Sequence, residues 1–226
     1  MAIQFSFRAN ALTFSLPAAD NLILCPGGTT IFTTNPVADP VSDAVNNVRF
    51  VVTGSAPNGD FCGTLMTILT VARFDFRPTQ TGRLTASTFF TPGFLFSLTC
   101  AGEGGLFEFF DRAGPVSVSL FVRMSVLVRA QNNQIVLNSP GVGRRIFFNE
   151  LTGIATPRSR TGGFAPELME ILETRSFPTI VLPTDTVIVR ARYAFQAFAN
   201  DLSTFTVNAS GGLGFNVPMA VIRTDP

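Results

Sequence analysis

The feature of this sequence that most constrains its fold is a strict alternation of apolar and polar residues. From Val116 to Ala130 every even position is apolar, and most odd positions carry serine or arginine. Successive side chains of a β-strand point to opposite faces, so this stretch predicts a long strand with one face in a core. The alternation returns from Val187 to Ala199, where Arg190 and Arg192 occupy the polar face.

Shorter apolar runs separated by turn residues predict further strands. The runs are Asn47–Ser55, Phe61–Phe76, Gly82–Phe90, Phe94–Cys100 and Leu106–Phe110, with a C-terminal hairpin of Leu202–Ala209 and Leu213–Arg223. Asn132 and Asn133 predict a second hairpin turn, and Pro218 predicts an edge or a bulge. Many strands without alternating helices indicate an all-β fold, an antiparallel β-sandwich of jelly-roll or related Greek-key type. We expect residues 1–226 to form one such domain.

A short helix and a loop are also predicted. Residues 166–173 begin with proline and contain good helix formers, so they predict one short helix. Glu167, Glu170 and Glu173 would form its solvated acidic stripe. Residues 153–163 contain Gly153 and Gly163 and are the best candidate for a mobile loop.

The absence of two residue types excludes several chemistries. The chain has no histidine, and all 16 of its cationic side chains are arginine. Ser-His-Asp catalysis, imidazole metal ligation and lysine Schiff bases are therefore excluded. Cys25, Cys62 and Cys100 show no CxxC spacing, and we expect buried thiols. The prediction is a protein that is not an enzyme, with no catalytic residues, cofactor or metal site.

Low charge favours self-association as the leading hypothesis. Only 14% of the residues are charged and the net charge is +1, whereas globular proteins average about 25% charged residues. Ile3, Phe5 and Phe7 alternate with polar residues at the start of the chain, and the apolar phase shifts near Ala11, which indicates a bulge or break. We expect residues 1–10 to form a strand that either pairs within the domain or is exchanged between subunits. In the second case Ile3, Phe5 and Phe7 lie at the interface. The chain would then be a structural subunit of a filament, appendage, shell or particle.

The alternative hypothesis is a lectin-like or receptor-binding β-sandwich module displayed on a particle or cell surface. Its loops would carry the function, with Arg158 and Arg160 as a candidate anion or ligand loop. The arginines are scattered along the sequence, so nucleic acid is not expected as a partner. Carbohydrate is not expected either, because the chain has no tryptophan and its one tyrosine, Tyr193, is predicted to face the core.

The sequence shows no targeting or membrane signal. Residues from Met1 to Leu16 alternate apolar and polar instead of forming an apolar signal segment. No apolar run approaches the length of a transmembrane helix, so membrane insertion is not expected. These observations favour assembly inside a cell before display in an external particle or surface structure, and they leave the localisation undefined.

Overall fold

The alternating segments are β-strands in the computed structural model of the protein. The structure describes residues 1–7, 11–15, 37–38, 47–56, 63–100, 112–154, 157–164, 170–200, 202–209 and 213–226. These residues form fourteen strands in two antiparallel sheets. The regular inward and outward alternation of Val116–Ala130 and Val187–Ala199 confirms the strand predictions for both segments.

The first sheet has six strands. Its members are β2 (Ala11–Ser15), β5 (Gly63–Phe76), β7 (Arg112–Arg129), β8 (Ile135–Ser139), β9 (Arg144–Ile154) and β12 (Thr186–Asn200). The order is β2-β5-β12-β7-β8, and β9 also pairs with β7. β12 pairs with β7 from Thr186↔Arg129 to Ala199↔Val116 without a register shift. The two most strictly alternating segments therefore lie side by side in the middle of this sheet.

The second sheet has eight strands and is organised around one long strand. Its members are β1 (Ala2–Ser6), β3 (Val37–Ala38), β4 (Asn47–Ala56), β6 (Gly82–Cys100), β10 (Arg158–Phe164), β11 (Glu170–Val181), β13 (Ser203–Ala209) and β14 (Gly214–Asp225). The first half of β6 pairs with β14 and β11, and the second half pairs with β13 and β10. β6 therefore joins the two halves of the sheet.

A phenylalanine-rich core lies between the two sheets. The ring centroid of Phe94 on β6 lies 5.4 Å from that of Phe195 on β12 and 5.1 Å from that of Phe147 on β9, both with edge-to-face geometry. Phe74 and Phe205 are also fully buried. Aromatic pairs of this geometry contribute beyond their buried area. Part of the abundant phenylalanine of the sequence thus fills the interior of the sandwich.

The connectivity confirms the predicted fold class. The chain alternates between the sheets along most of its length, as in antiparallel sandwiches of the jelly-roll and Greek-key type. The predicted break near Ala11 is one of these crossings: β1 pairs with β14 in the eight-stranded sheet, and β2 pairs with β5 in the six-stranded sheet.

The predicted helix at 166–173 is wrong for the part that the structure describes. Glu170–Glu173 belongs to β11, which pairs with β6 through Glu170↔Phe90 and Glu173↔Thr88. Residues 166–169, including Glu167, lie outside the described residues. Helix propensity is a weak preference that pairing with a neighbouring strand overrides. Glu170 and Glu173 therefore do not form the predicted acidic stripe of a helix.

The turn and bulge predictions are confirmed where the structure describes them. Asn133 adopts a positive φ of 67° between β7 and β8, and the Ala130 amide donates to the Gln134 carbonyl oxygen at 2.9 Å. The register of β14 shifts between Asn216 and Met219, around Pro218.

Cys100 is buried, and its thiol donates to the carbonyl oxygen of Leu151 at 3.6 Å. Cys25 and Cys62 lie outside the described residues. Within the described ranges, no helix is long and apolar enough to cross a membrane.

Gly54 provides a test of the packing between β4 and β13. A Cβ atom on Gly54 would lie 2.3 Å from the Phe205 ring, which is fully buried and paired opposite it. We expect Gly54→Ala to lower the free energy of unfolding by about 1–3 kcal/mol, because the ring has no free space to move into. Urea denaturation measures this. The control is Gly143→Ala, whose Cβ would lie 4.0 Å from the nearest atom; equal losses in both variants would contradict the packing described here.

Tyr193 provides a test of core burial that uses its own absorbance. Desolvation by burial raises the pKa of Tyr193 well above its ordinary value of 10.0. In the unfolded chain the phenol ionises at about pH 10, so the folded state loses stability as the pH rises above that value. We expect tyrosinate absorbance to appear only together with alkaline unfolding, since the chain has no other tyrosine and no tryptophan.

The control for this titration is Tyr193→Phe, which should lack that alkaline loss of stability. Tyrosinate absorbance at about pH 10 with an unchanged circular dichroism spectrum would show that Tyr193 is accessible to solvent.

Candidate functional site

The outer side of β4, β13, β6 and β10 carries a regular array of hydroxyl side chains, which we call the hydroxyl face. One row across the strands is Ser55, Thr204, Thr99 and Ser159, and the next is Thr53, Thr206, Ser97 and Thr161. Their sequence neighbours Phe96, Leu98, Phe205 and Val207 are buried in the core. The hydroxyl residues therefore point away from the core because strand side chains alternate between faces.

Hydroxyl groups on neighbouring strands bond to one another across this sheet. Thr53 Oγ1 lies 3.4 Å from Thr206 Oγ1, and Thr99 Oγ1 also bonds to Thr204 Oγ1. Each hydroxyl has one donor and two acceptor sites. A pair bonded in this way keeps acceptor capacity for a further partner.

A shallow groove with a volume of about 410 Å³ crosses the hydroxyl face. The described residues of its lining are Leu95, Phe96, Ser97, Thr161, Gly162, Thr206 and Asn208. None of these residues is charged. The hydroxyls of Ser97 and Thr161 make no hydrogen bond within the described part of the chain. Ser97 and Thr161 therefore offer neutral hydroxyl groups to a ligand.

Part of the groove is apolar. A Cβ atom on Gly162 would lie 2.7 Å from the Phe96 ring, so the absence of a side chain lets this ring pack directly beneath β10. Leu95, at the end of the groove, is 54% exposed. The groove thus combines the exposed apolar side chain of Leu95 with hydroxyl groups on three strands.

The structure places the predicted anion-binding arginines on a strand. Arg158 and Arg160 belong to β10, and Gly153 belongs to β9, so the predicted loop at 153–163 is wrong for these strand residues. Pro157 lies between the two strands, and residues 155–156 lie outside the described residues. Arg160 donates to Asn149 Oδ1 at 2.9 Å and to the Glu150 carbonyl oxygen at 3.0 Å. Its guanidinium group therefore links β10 to β9.

The predicted interface residues lie on the outer side of the eight-stranded sheet. Ile3, Phe5 and Phe7 are 45%, 58% and 56% exposed, and the rings of Phe5 and Phe7 stack with centroids 6.4 Å apart. β1 pairs with β14 of the same chain. The interface role of these residues stays a prediction, and the hydrogen bonds of β1 that the structure shows are intramolecular.

The site residues that sequence reasoning missed are Ser97, Thr161 and Thr206. Ser97 and Thr206 alternate with buried residues in their own strands, so the pattern shows that they face outward. Thr161 has no buried neighbour in β10, and its outward position follows from its pairing with Ser97. Their proximity depends on the register of β13 and β10 against β6. No group of potential metal-ligating side chains occurs among the described residues.

Comparisons with known proteins identify no family. No protein-family model matches the sequence, and no curated protein matches it significantly. Solved structures that match weakly include TmCBM61 in complex with β-1,4-galactotriose, at 9% identity with a TM-score of 0.21, covering 97% of this chain and 92% of that chain. The mannan-recognising module TmCBM27 matches at 6% identity with a TM-score of 0.18, covering 98% and 99% of the two chains.

A tailspike protein of bacteriophage CBA120 matches at 12% identity with a TM-score of 0.23. This match covers 95% of this chain and 20% of the tailspike chain. At these TM-scores, no statement about the ligand of this chain follows from any of the three structures.

The sequence-based exclusion of carbohydrate is nevertheless wrong. It rested on the lack of tryptophan and on the predicted burial of Tyr193; the structure buries Tyr193, but it also forms a groove that offers other groups to a sugar. The physical error was to treat ring stacking as a requirement. Hydroxyl and amide groups also bind sugars through hydrogen bonds, and the groove on the hydroxyl face presents both types.

Proposed function

We propose that the chain is a non-enzymatic binding module that takes a neutral oligosaccharide in the groove of the hydroxyl face. The observation that carries this proposal is the convergence of Ser97, Thr161, Thr206 and Asn208, from three strands, on one uncharged groove. This corresponds to the lectin-like alternative. Self-assembly, favoured by composition, stays a prediction.

The composition of the groove matches the surface of a sugar. A pyranose ring carries hydroxyl groups at its edge and C–H groups on its faces. Ser97 and Thr161 supply hydroxyls that can both donate and accept, and Asn208 supplies an amide. Leu95 supplies apolar surface for the C–H face.

The uncharged lining determines which ligands bind. A charged ligand would lose hydration in the groove without gaining a counter-charge from its lining. A neutral polyhydroxylated ligand exchanges water hydrogen bonds for protein ones at little net electrostatic cost. The groove is also open at the surface, which suits a chain of sugar units extending along it.

The test is calorimetric titration of the protein with a panel of neutral oligosaccharides. We expect Ser97→Ala to weaken binding of the best ligand about three- to tenfold, because one hydrogen bond to the ligand is lost. Thr206→Val, which keeps the side-chain shape, should weaken it by a similar factor. The circular dichroism spectra of both variants should match the wild type.

The matched control is Ser87→Ala. Ser87 lies on the same strand and faces the same side, but its hydroxyl bonds to Thr174 at 2.9 Å, away from the groove. We expect it to leave the affinity unchanged. A panel without any binding oligosaccharide, or equal weakening by Ser87→Ala and Ser97→Ala, would refute the proposal.

A further inference from the structure

A second depression lies on the outer side of the six-stranded sheet, which is the other layer of the sandwich. It has a volume of about 490 Å³, and Arg73, Arg77, Arg129 and Arg190 contribute to its lining. We call it the arginine depression. Its lining includes no acidic residue from the described part of the chain. The arginines that are scattered along the sequence are therefore concentrated by the fold.

The strand register places like charges opposite one another on this face. Arg190 on β12 pairs directly with Arg73 on β5, and Arg192 pairs directly with Arg123 on β7. Ala191 and Tyr193 are buried, so the arginines alternate with them and face outward. Like charges directly opposite in a sheet are destabilising. The fold therefore maintains an unfavourable arrangement that a bound anion would relieve.

Few of these cations are neutralised within the described chain. Arg73 Nε lies 2.9 Å from Asp75 Oδ1, and Arg129 donates to the neutral Asn133 Oδ1 at 2.9 Å. The guanidinium groups of Arg77 and Arg190 have no ion pair or hydrogen bond with the described residues. Arg192 Nε is buried without a hydrogen-bond partner. Planar guanidinium groups bind phosphate and sulfate oxygens through paired hydrogen bonds.

We propose that the arginine depression binds a sugar-sized ligand carrying phosphate or sulfate groups. Its volume lies within the range of small-molecule sites, about 300–1,000 Å³. Thr184, Thr186 and Gln131 in its lining supply polar groups for the hydroxyls of such a ligand. Among the described residues of the lining there is no aromatic side chain on which a nucleobase could stack, which favours a sugar over single-stranded nucleic acid.

The experiment compares four probes by calorimetric titration: sucrose octasulfate, sucrose, inorganic phosphate and an oligothymidylate. We expect sucrose octasulfate to bind and its affinity to fall as the salt concentration rises. Arg190→Gln and the more exposed Arg77→Gln should each weaken it about tenfold, since a charge-assisted contact is lost. Inorganic phosphate should bind more weakly and compete with the sulfated sugar.

The matched control is Arg158→Gln, an exposed arginine on β10 of the other sheet. We expect it to leave binding of sucrose octasulfate unchanged. Ser97→Ala should also leave it unchanged, so that this result is independent of neutral oligosaccharide binding to the hydroxyl face. Equal weakening by Arg158→Gln would show non-specific attraction to the surface and overturn the proposal.

Thermal unfolding gives a second readout. Without ligand, Arg190→Gln should be at least as stable as the wild type, because it removes one member of a like-charge pair. Sucrose octasulfate should raise the Tm of the wild type more than that of Arg190→Gln. The proposal is overturned if sucrose binds as tightly as its sulfated form, if phosphate alone matches the sulfated sugar, or if oligothymidylate binds more tightly.

Discussion

The structure depends on the burial of one face of β7 and β12 against the phenylalanine-rich inner face of β6. The two strands pair along their whole shared length, and their inward positions are occupied almost entirely by apolar side chains. Because strand side chains alternate strictly, a core face on one side determines the solvent face on the other. The outward positions of Arg190 and Ser97 are consequences of burying their neighbours.

The strict alternation of apolar and polar residues predicts the long strands correctly. Segments whose local sequence favours another structure are predicted incorrectly. Val187–Ala199 has a single period of two, and the structure buries the predicted side, including Tyr193. Glu170–Glu173 contains good helix formers next to a proline-initiated segment, and a helix was predicted there. In the structure this segment is a strand, because it pairs with β6. That pairing depends on residues about eighty positions earlier in the chain, which no local pattern contains.

The candidate sites could not be predicted because they depend on register between distant strands. Sequence alone places Ser97 and Thr206 on outward faces, but only the pairing Thr206↔Ser97↔Thr161 makes them neighbours. The same holds for Arg73 and Arg190, which are paired across β5 and β12. A shift of one residue in either register would turn these side chains toward the core.

The distribution of charge also changes what the composition implies. A net charge of +1 and few ionisable residues suggested a weakly charged exterior that a second copy would cover. The described surface is divided instead: the groove of one sheet is neutral and rich in hydroxyls, and the outer face of the other concentrates arginine. Hydroxyl groups hydrate an uncharged face well, and clustered arginines create a local positive potential that the net charge conceals. Low overall charge is therefore compatible with two chemically distinct binding surfaces, and it does not require association between copies of the chain.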